Sequence, residues 1–172
     1  LPAVTLATNS ITVNAQVTKT ASSTITISSN YIRVAYTINL INYATSAITF
    51  DQVLDAASSN LTYVAGSVRV GGAAYPDPIM DSSGRWVFGQ PITVGAAAAG
   101  SSTTVLLTYT MSSRTTCTGS TPYSYLNTVS ANIGSTVIAE STTTVSGVTT
   151  SGTCSNTTAT VTTTSTALSP EV

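Results

Sequence analysis

The sequence predicts an all-β protein, an antiparallel sandwich in a single domain. Three observations predict it. β-Branched residues alternate with polar ones along most of the chain, while apolar residues at helical spacing are almost absent. Turn signals interrupt these runs about every 8–12 residues, the rhythm of a sandwich. The chain has 172 residues, 42% of them hydrophobic and 6% charged, which is ample for one buried core and too apolar for disorder.

The elements follow in order. In "LPAVTLATNSITVNAQVTKT" the apolar set falls on even positions at Val4 and Leu6, then on odd ones at Ile11, Val13, Ala15 and Val17. A one-residue slip exchanges the faces of a strand, so the phase break at Thr8-Asn9-Ser10 divides the stretch into two units. We expect a terminal strand over about residues 1–8 and a first domain strand over about 11–19. The domain division expected is therefore a tail at 1–10 and one sandwich at 11–172. "STITIS" (23–28) alternates. "YIRVAYTINLI" (31–41) puts Ile32, Val34, Tyr36, Ile38 and Leu40 inward and Arg33, Ala35, Thr37 and Asn39 outward.

The stretch from Phe50 to Ser58 is the best short helix candidate, and reads equally well as a strand end and turn. "LTYVAGSVRVGG" (61–72) reads as one alternating strand ending in a Gly-Gly turn. "DSSG" (81–84) is a turn before a short strand in "RWVFGQ". "GAAAAG" (95–100) is too short to nucleate a helix. "STTVLLTYTM", "YSYLNTVSANI", "STVIAESTTTV" and "TTATVTTTS" complete the set of eight or nine strands. The Thr-rich stretch from Thr142 to Ser165 keeps Val145, Val148 and Val161, and Thr favours strands, so it is expected to be ordered rather than a stalk.

Composition narrows function. The net charge is −1, and the five cations, Lys19, Arg33, Arg69, Arg85 and Arg114, are scattered singly, so no nucleic-acid partner is expected. No apolar run approaches the length of a membrane span. No histidine is present to act as a base near neutral pH, and the carboxylates do not pair in sequence, so no enzyme is expected. Asp51 and Asp55 read as strand-end and turn residues. A surface of hydroxyls titrates little and lacks charge repulsion, which suits an assembling protein or a glycan-coated one.

Cys117 and Cys154 point to one disulfide, with a free thiol pair as the alternative. The bridge would close a loop of about 36 residues, contributing on the order of 3–4 kcal/mol in the chain-entropy model. A start at Leu1 fits an extracellular or cell-surface chain after signal-peptide removal, or a trimmed one.

The centre of the chain carries a resemblance. Tyr36, Asn42, the Asp51…Leu54 pair, "LTYV" at 61–64, "GSV" at 66–68, Thr108-Tyr109 and Asn127-Thr128 occur in an order that resembles the conserved surface-repeat domain of prokaryotic cell-wall and envelope proteins, over about residues 24–133. That resemblance implies an immunoglobulin-like sandwich on a cell surface and no chemistry. The family usually has Pro after its Asp-x-Leu, where this chain has Asp55-Ala56, and it usually repeats many times, where this chain has one copy. A single copy with a spare N-terminal strand is similar to the thread filament subunits of thermoacidophilic archaea and, more broadly, to pilins joined by donor strands.

The function expected is thus a subunit of an extracellular filament, a pilus or thread assembled head-to-tail by donor-strand complementation and serving adhesion or biofilm formation. Val4 and Leu6 would be the donor residues at the subunit interface. The alternative is a non-filamentous surface adhesion, glycan-binding or S-layer-associated module. Partners expected are other copies of the chain and covalent glycans. The sequons Asn60-Leu61-Thr62 and Asn156-Thr157-Thr158 make Asn60 and Asn156 candidate N-glycosylation sites.

No cofactor or metal is expected. Asp77, Asp81 and Ser82 offer oxygens to calcium, but a proline-rich loop and turn is the plainer reading. Trp86 and Phe88 read as core, with sugar stacking on Trp86 as the alternative. An isopeptide bond would need Lys19 buried against an Asn and an acid; the expectation is that Lys19 lies on a strand with its head in water.

Overall fold

The structure is a computed structural model and describes residues 14–28, 31–114, 121–149 and 157–167. The expected donor residues Val4 and Leu6, the cysteines Cys117 and Cys154 and the sequon residue Asn156 lie outside the described residues.

The fold is an all-β antiparallel sandwich of the immunoglobulin-like class. In chain order the strands are β1 (Ala15–Ala21), β2 (Thr24–Ile27), β3 (Tyr31–Asn42), β4 (Ile48–Phe50), β5 (Gln52–Ala57), β6 (Thr62–Tyr63), β7 (Arg69–Val70) and β8 (Ala73–Ala74). They continue as β9 (Ile79–Met80), β10 (Trp86–Phe88), β11 (Ile92–Val94), β12 (Thr103–Arg114), β13 (Pro122–Ile133), β14 (Thr136–Val148), β15 (Thr157–Thr158) and β16 (Thr160–Ala167). One sheet runs β15-β2-β3-β12-β7-β8, with β1 also on β3 and β6 on β12. The other runs β16-β14-β13-β5-β10-β9, and β4 pairs with β11 in a small two-stranded sheet.

Alternation decides the core. In β3 every even residue from Ile32 to Leu40 is buried, and the odd ones are at least partly in water. β12 does the same with Leu107, Tyr109 and Met111, and β13 with Tyr123, Tyr125, Asn127, Val129 and Ala131. These inward rows meet in one cluster with Phe50, Val68, Phe88, Val94 and Val145. Removing that area from water is the main force holding the sheets together.

Two readings of the chain are corrected. Residues 61–72 do not form one strand, because the chain turns at Ala65–Gly66 between β6 and β7. Gly66 has φ +72°, and its N–H donates to both carboxylate oxygens of Asp77 at 3.0 Å, so a side chain fixes the break that alternation alone would run through. The Gly-Gly signal at its end is a two-residue hairpin between β7 and β8, with both glycines at positive φ (56° and 83°). The second correction is Asp55. It is not a turn residue but sits inside β5, fully buried, opposite Val129 of β13. Asp51 does close a turn: its carboxylate accepts the Gly134 N–H at 2.5 Å.

Candidate functional site

The site lies between the sheets. Four strands of the first sheet and two of the second each turn one polar residue into the core. Each does so because its position matches the inward parity of its strand. β1 places Ala15, Val17 and Lys19 on one face, all buried. β3 and β12 set Tyr36 directly opposite Tyr109, and their rings stack at 5.6 Å. From β6, Tyr63 packs its ring 4.8 Å from Tyr109. In the second sheet β5 presents Asp55, β13 presents Asn127, and Phe88 of β10 closes the aromatic wall.

Lys19 therefore does not have its head in water. It is fully buried, and its Nζ donates to Asp55 Oδ1 at 2.6 Å and to the Tyr109 hydroxyl. The ammonium stands 4.7 Å from the centre of the Tyr36 ring and 5.2 Å from that of Tyr109, within cation–π range. The second carboxylate oxygen of Asp55 accepts from Tyr109 and Tyr63, each at 2.8 Å, and from Asn127 Nδ2 at 3.4 Å. One carboxylate thus holds both the Lys19 amine and the Asn127 amide. The Lys19 backbone is clamped as well: its N–H donates to Ser141 Oγ at 2.8 Å and its carbonyl accepts from Thr143 Oγ1 at 2.6 Å, both from β14 of the opposite sheet.

The electrostatics follow from burial. Desolvation of the ammonium lowers the Lys19 pKa from its usual 10.5 to about 8, with Asp55 pulling the other way. A neutral, nucleophilic amine is correspondingly easier to reach. Desolvation first, and the neighbouring Asp55 carboxylate with it, hold the Tyr36, Tyr63 and Tyr109 hydroxyls above their ordinary range; at Tyr63 the ionised form of Tyr109 adds to this. All three stay protonated, and Tyr63 and Tyr109 donate to Asp55.

Two atoms in this pocket have no hydrogen-bond partner among the described residues: Asn127 Oδ1 and the Tyr36 hydroxyl. An unsatisfied buried carbonyl costs about 1–3 kcal/mol. The ion pair offers no clear compensation, since a buried pair often contributes no more stability than apolar side chains of the same volume. Chemically the arrangement is an amine, a carboxamide and a carboxylate that touches both, in a dry aromatic setting.

The other candidates lie elsewhere. Asn60 is exposed in the turn before β6, open to modification. Asp77 is engaged with Gly66, and Asp81 with the N–H groups of Ser83 and Arg85 and the Arg85 guanidinium, so each carboxylate serves its own loop. Among the described residues no three metal-donor side chains converge. Trp86 is half-buried with its ring set edge-on to Tyr63 at 5.0 Å, and Phe88 is fully buried. Among the described residues no helix is long and apolar enough to cross a membrane.

The position of Lys19 was readable from its parity: it continues the odd-numbered row of Ala15 and Val17. Asp55 shares the parity of Val53, and Asn127 that of Tyr125 and Val129. A hydrophilic side chain in an apolar row was the signal, and the habit of placing charge in water hid it. No known protein family, no curated protein and no solved structure matches this chain, so the site stands on its own geometry.

Proposed function

We propose that this chain is a structural subunit of an extracellular filament, assembled head-to-tail by strand addition and serving adhesion or biofilm formation. One observation carries the reading. β16 is an eight-residue edge strand with neither charge nor proline, paired only with β14 among the described residues. Its described side chains from Thr162 to Ser165 are all exposed. Soluble proteins ordinarily blunt such an edge, because its free N–H and C=O groups template another strand. Left open, it supports the addition of a strand from another copy, and the charge-free N-terminal stretch with Val4 and Leu6 has the composition of that strand. A head-to-tail contact of this kind does not close on itself and yields a fibre.

Electron microscopy of the full chain at increasing concentration tests the proposal. Filaments that vanish when residues 1–10 are deleted are the expected result. Filaments that persist in that deletion, or a full chain that stays monomeric at every concentration, overturn it.

A second reading, a surface adhesion or glycan-binding module that does not polymerise, draws on a polar groove lined by Asn60, Thr62, Tyr63, Ser112, Ser113 and Arg114. Saturable binding of a glycan by the monomer would favour it over the first.

A further inference from the structure

We propose that Lys19 and Asn127 become joined by an intramolecular amide bond, Nζ to Cγ, formed with loss of ammonia and with Asp55 as the acid–base group. This inference stands independently of filament assembly, because every group in it belongs to one chain.

The geometry supplies each part. The nucleophile is the one lysine of the sequence, and it sits in the core rather than at the surface. The electrophile is a carboxamide whose carbonyl oxygen lacks a donor, while its nitrogen points at the carboxylate that also holds the amine. Asp55 touches both reacting nitrogens, which is what a group that must take a proton from one and give it to the other requires. Stacked tyrosines and Phe88 exclude water, so hydrolysis does not compete.

The step balances without any further reagent. Asp55 takes one proton from the Lys19 ammonium. The neutral amine attacks Asn127 Cγ, and the electron pair of the carbonyl moves onto Oδ1. That oxygen has no partner beforehand, and the Tyr36 hydroxyl, a donor equally without a partner, is available to it. Asp55 then gives its proton to Nδ2 and accepts the second proton of Nζ. The carbonyl re-forms, the Cγ–Nδ2 bond breaks and ammonia leaves. The products are a secondary amide, ammonia and one proton retained on Asp55. Two buried charges become none, so relief of desolvation favours the product.

The bond would tie β1, the first described strand, to β13 in the centre of the opposite sheet. Tension entering from the N-terminal side would then reach a covalent link at Lys19 before it could peel β1 from β3.

The test uses the full chain made in a host that does not glycosylate it, with disulfides reduced. Intact mass should fall below the sequence mass by one ammonia. A lysine-specific endoproteinase should leave the denatured chain uncut, because its only site is consumed. A digest with a protease of other specificity should contain a branched peptide carrying both Lys19 and Asn127. Asn127→Ala and Asp55→Asn should each show the full sequence mass and be cut after Lys19. If those variants do not fold, the wild-type mass and the branched peptide decide by themselves. The proposal is overturned by a folded wild-type chain at full sequence mass, by a deficit of one water with the branch at Asp55, or by an ammonia deficit that survives in Asn127→Ala.

Discussion

The centre of the sandwich and its hydroxyl-rich flank solve the same problem in opposite ways. Both bring polar side chains together across strands. At the centre, Lys19 and Asp55 are fully buried, enclosed by Tyr36, Tyr109 and Phe88. Along the flank, β13, β14 and β16 pair hydroxyl with hydroxyl: Thr128 with Thr142 at 2.9 Å, Thr143 with Thr163 at 3.2 Å, Ser141 with Ser165 at 2.8 Å. Ser141 and Thr143 are themselves buried, but their β16 partners Thr163 and Ser165 are exposed and can replace a lost partner with solvent, whereas a buried carboxylate cannot. The energetic stakes therefore differ by severalfold for contacts of similar length.

The comparison breaks hardest at Asp55. Asp55→Ala leaves the Lys19 ammonium buried without its counter-charge and should cost about 3–5 kcal/mol in urea denaturation. Stability equal to wild type would show that the centre tolerates an unpaired charge.

Alkaline titration probes the same region through the tyrosines. Tyr36, Tyr63 and Tyr109 have folded pKa values raised above the unfolded value of about 10. Their contribution to stability is complete below that value and is lost as pH rises through the folded ones. Tyrosinate absorbance should rise in two stages, exposed phenols first and the buried ones only with cooperative loss of the β-sheet circular dichroism. A single smooth rise with no structural step would contradict the burial.

Smaller effects sharpen the contrast. Tyr63→Phe removes one hydrogen bond to a carboxylate and should cost roughly 1.5–3 kcal/mol by chemical denaturation. Thr143→Val removes the hydroxyl that clamps the Lys19 carbonyl, and a loss of about 1 kcal/mol is expected. Thr128→Val alters a half-buried hydroxyl pair of the flank and should stay within about 0.5 kcal/mol of wild type. A Thr128→Val loss as large as that of Tyr63→Phe would erase the distinction between the regions.

Much of the fold was legible in the residues, and for a local reason. β3, β12 and β13 are long runs in which period two is unbroken, so their inward rows follow from the pleat alone. The stretch over 61–72 departs from its alternation because its break depends on Asp77, eleven residues from Gly66, and alternation carries no record of that contact. Lys19 and Asp55 differ from expectation for other reasons. Lys19 continues an inward row, but general expectation places charge outward, and that expectation yields only when a partner waits on the other side; Asp55 lies in a stretch that reads as a short helix or a strand end and turn, where alternation assigns it no face.

By itself, then, the sequence determined the all-β class, the strand rows and the inward parity of Tyr36 and Tyr109. These are consequences of backbone geometry over a few residues. Only the tertiary structure decided that the rows converge. Asp55 lies 36 residues from Lys19, Tyr109 lies 90 from it, and Asn127 lies 72 from Asp55. Their meeting depends on the register of strands remote in the chain and on the stacking of two sheets. Those are set by collective burial of the core, and no local pattern encodes them.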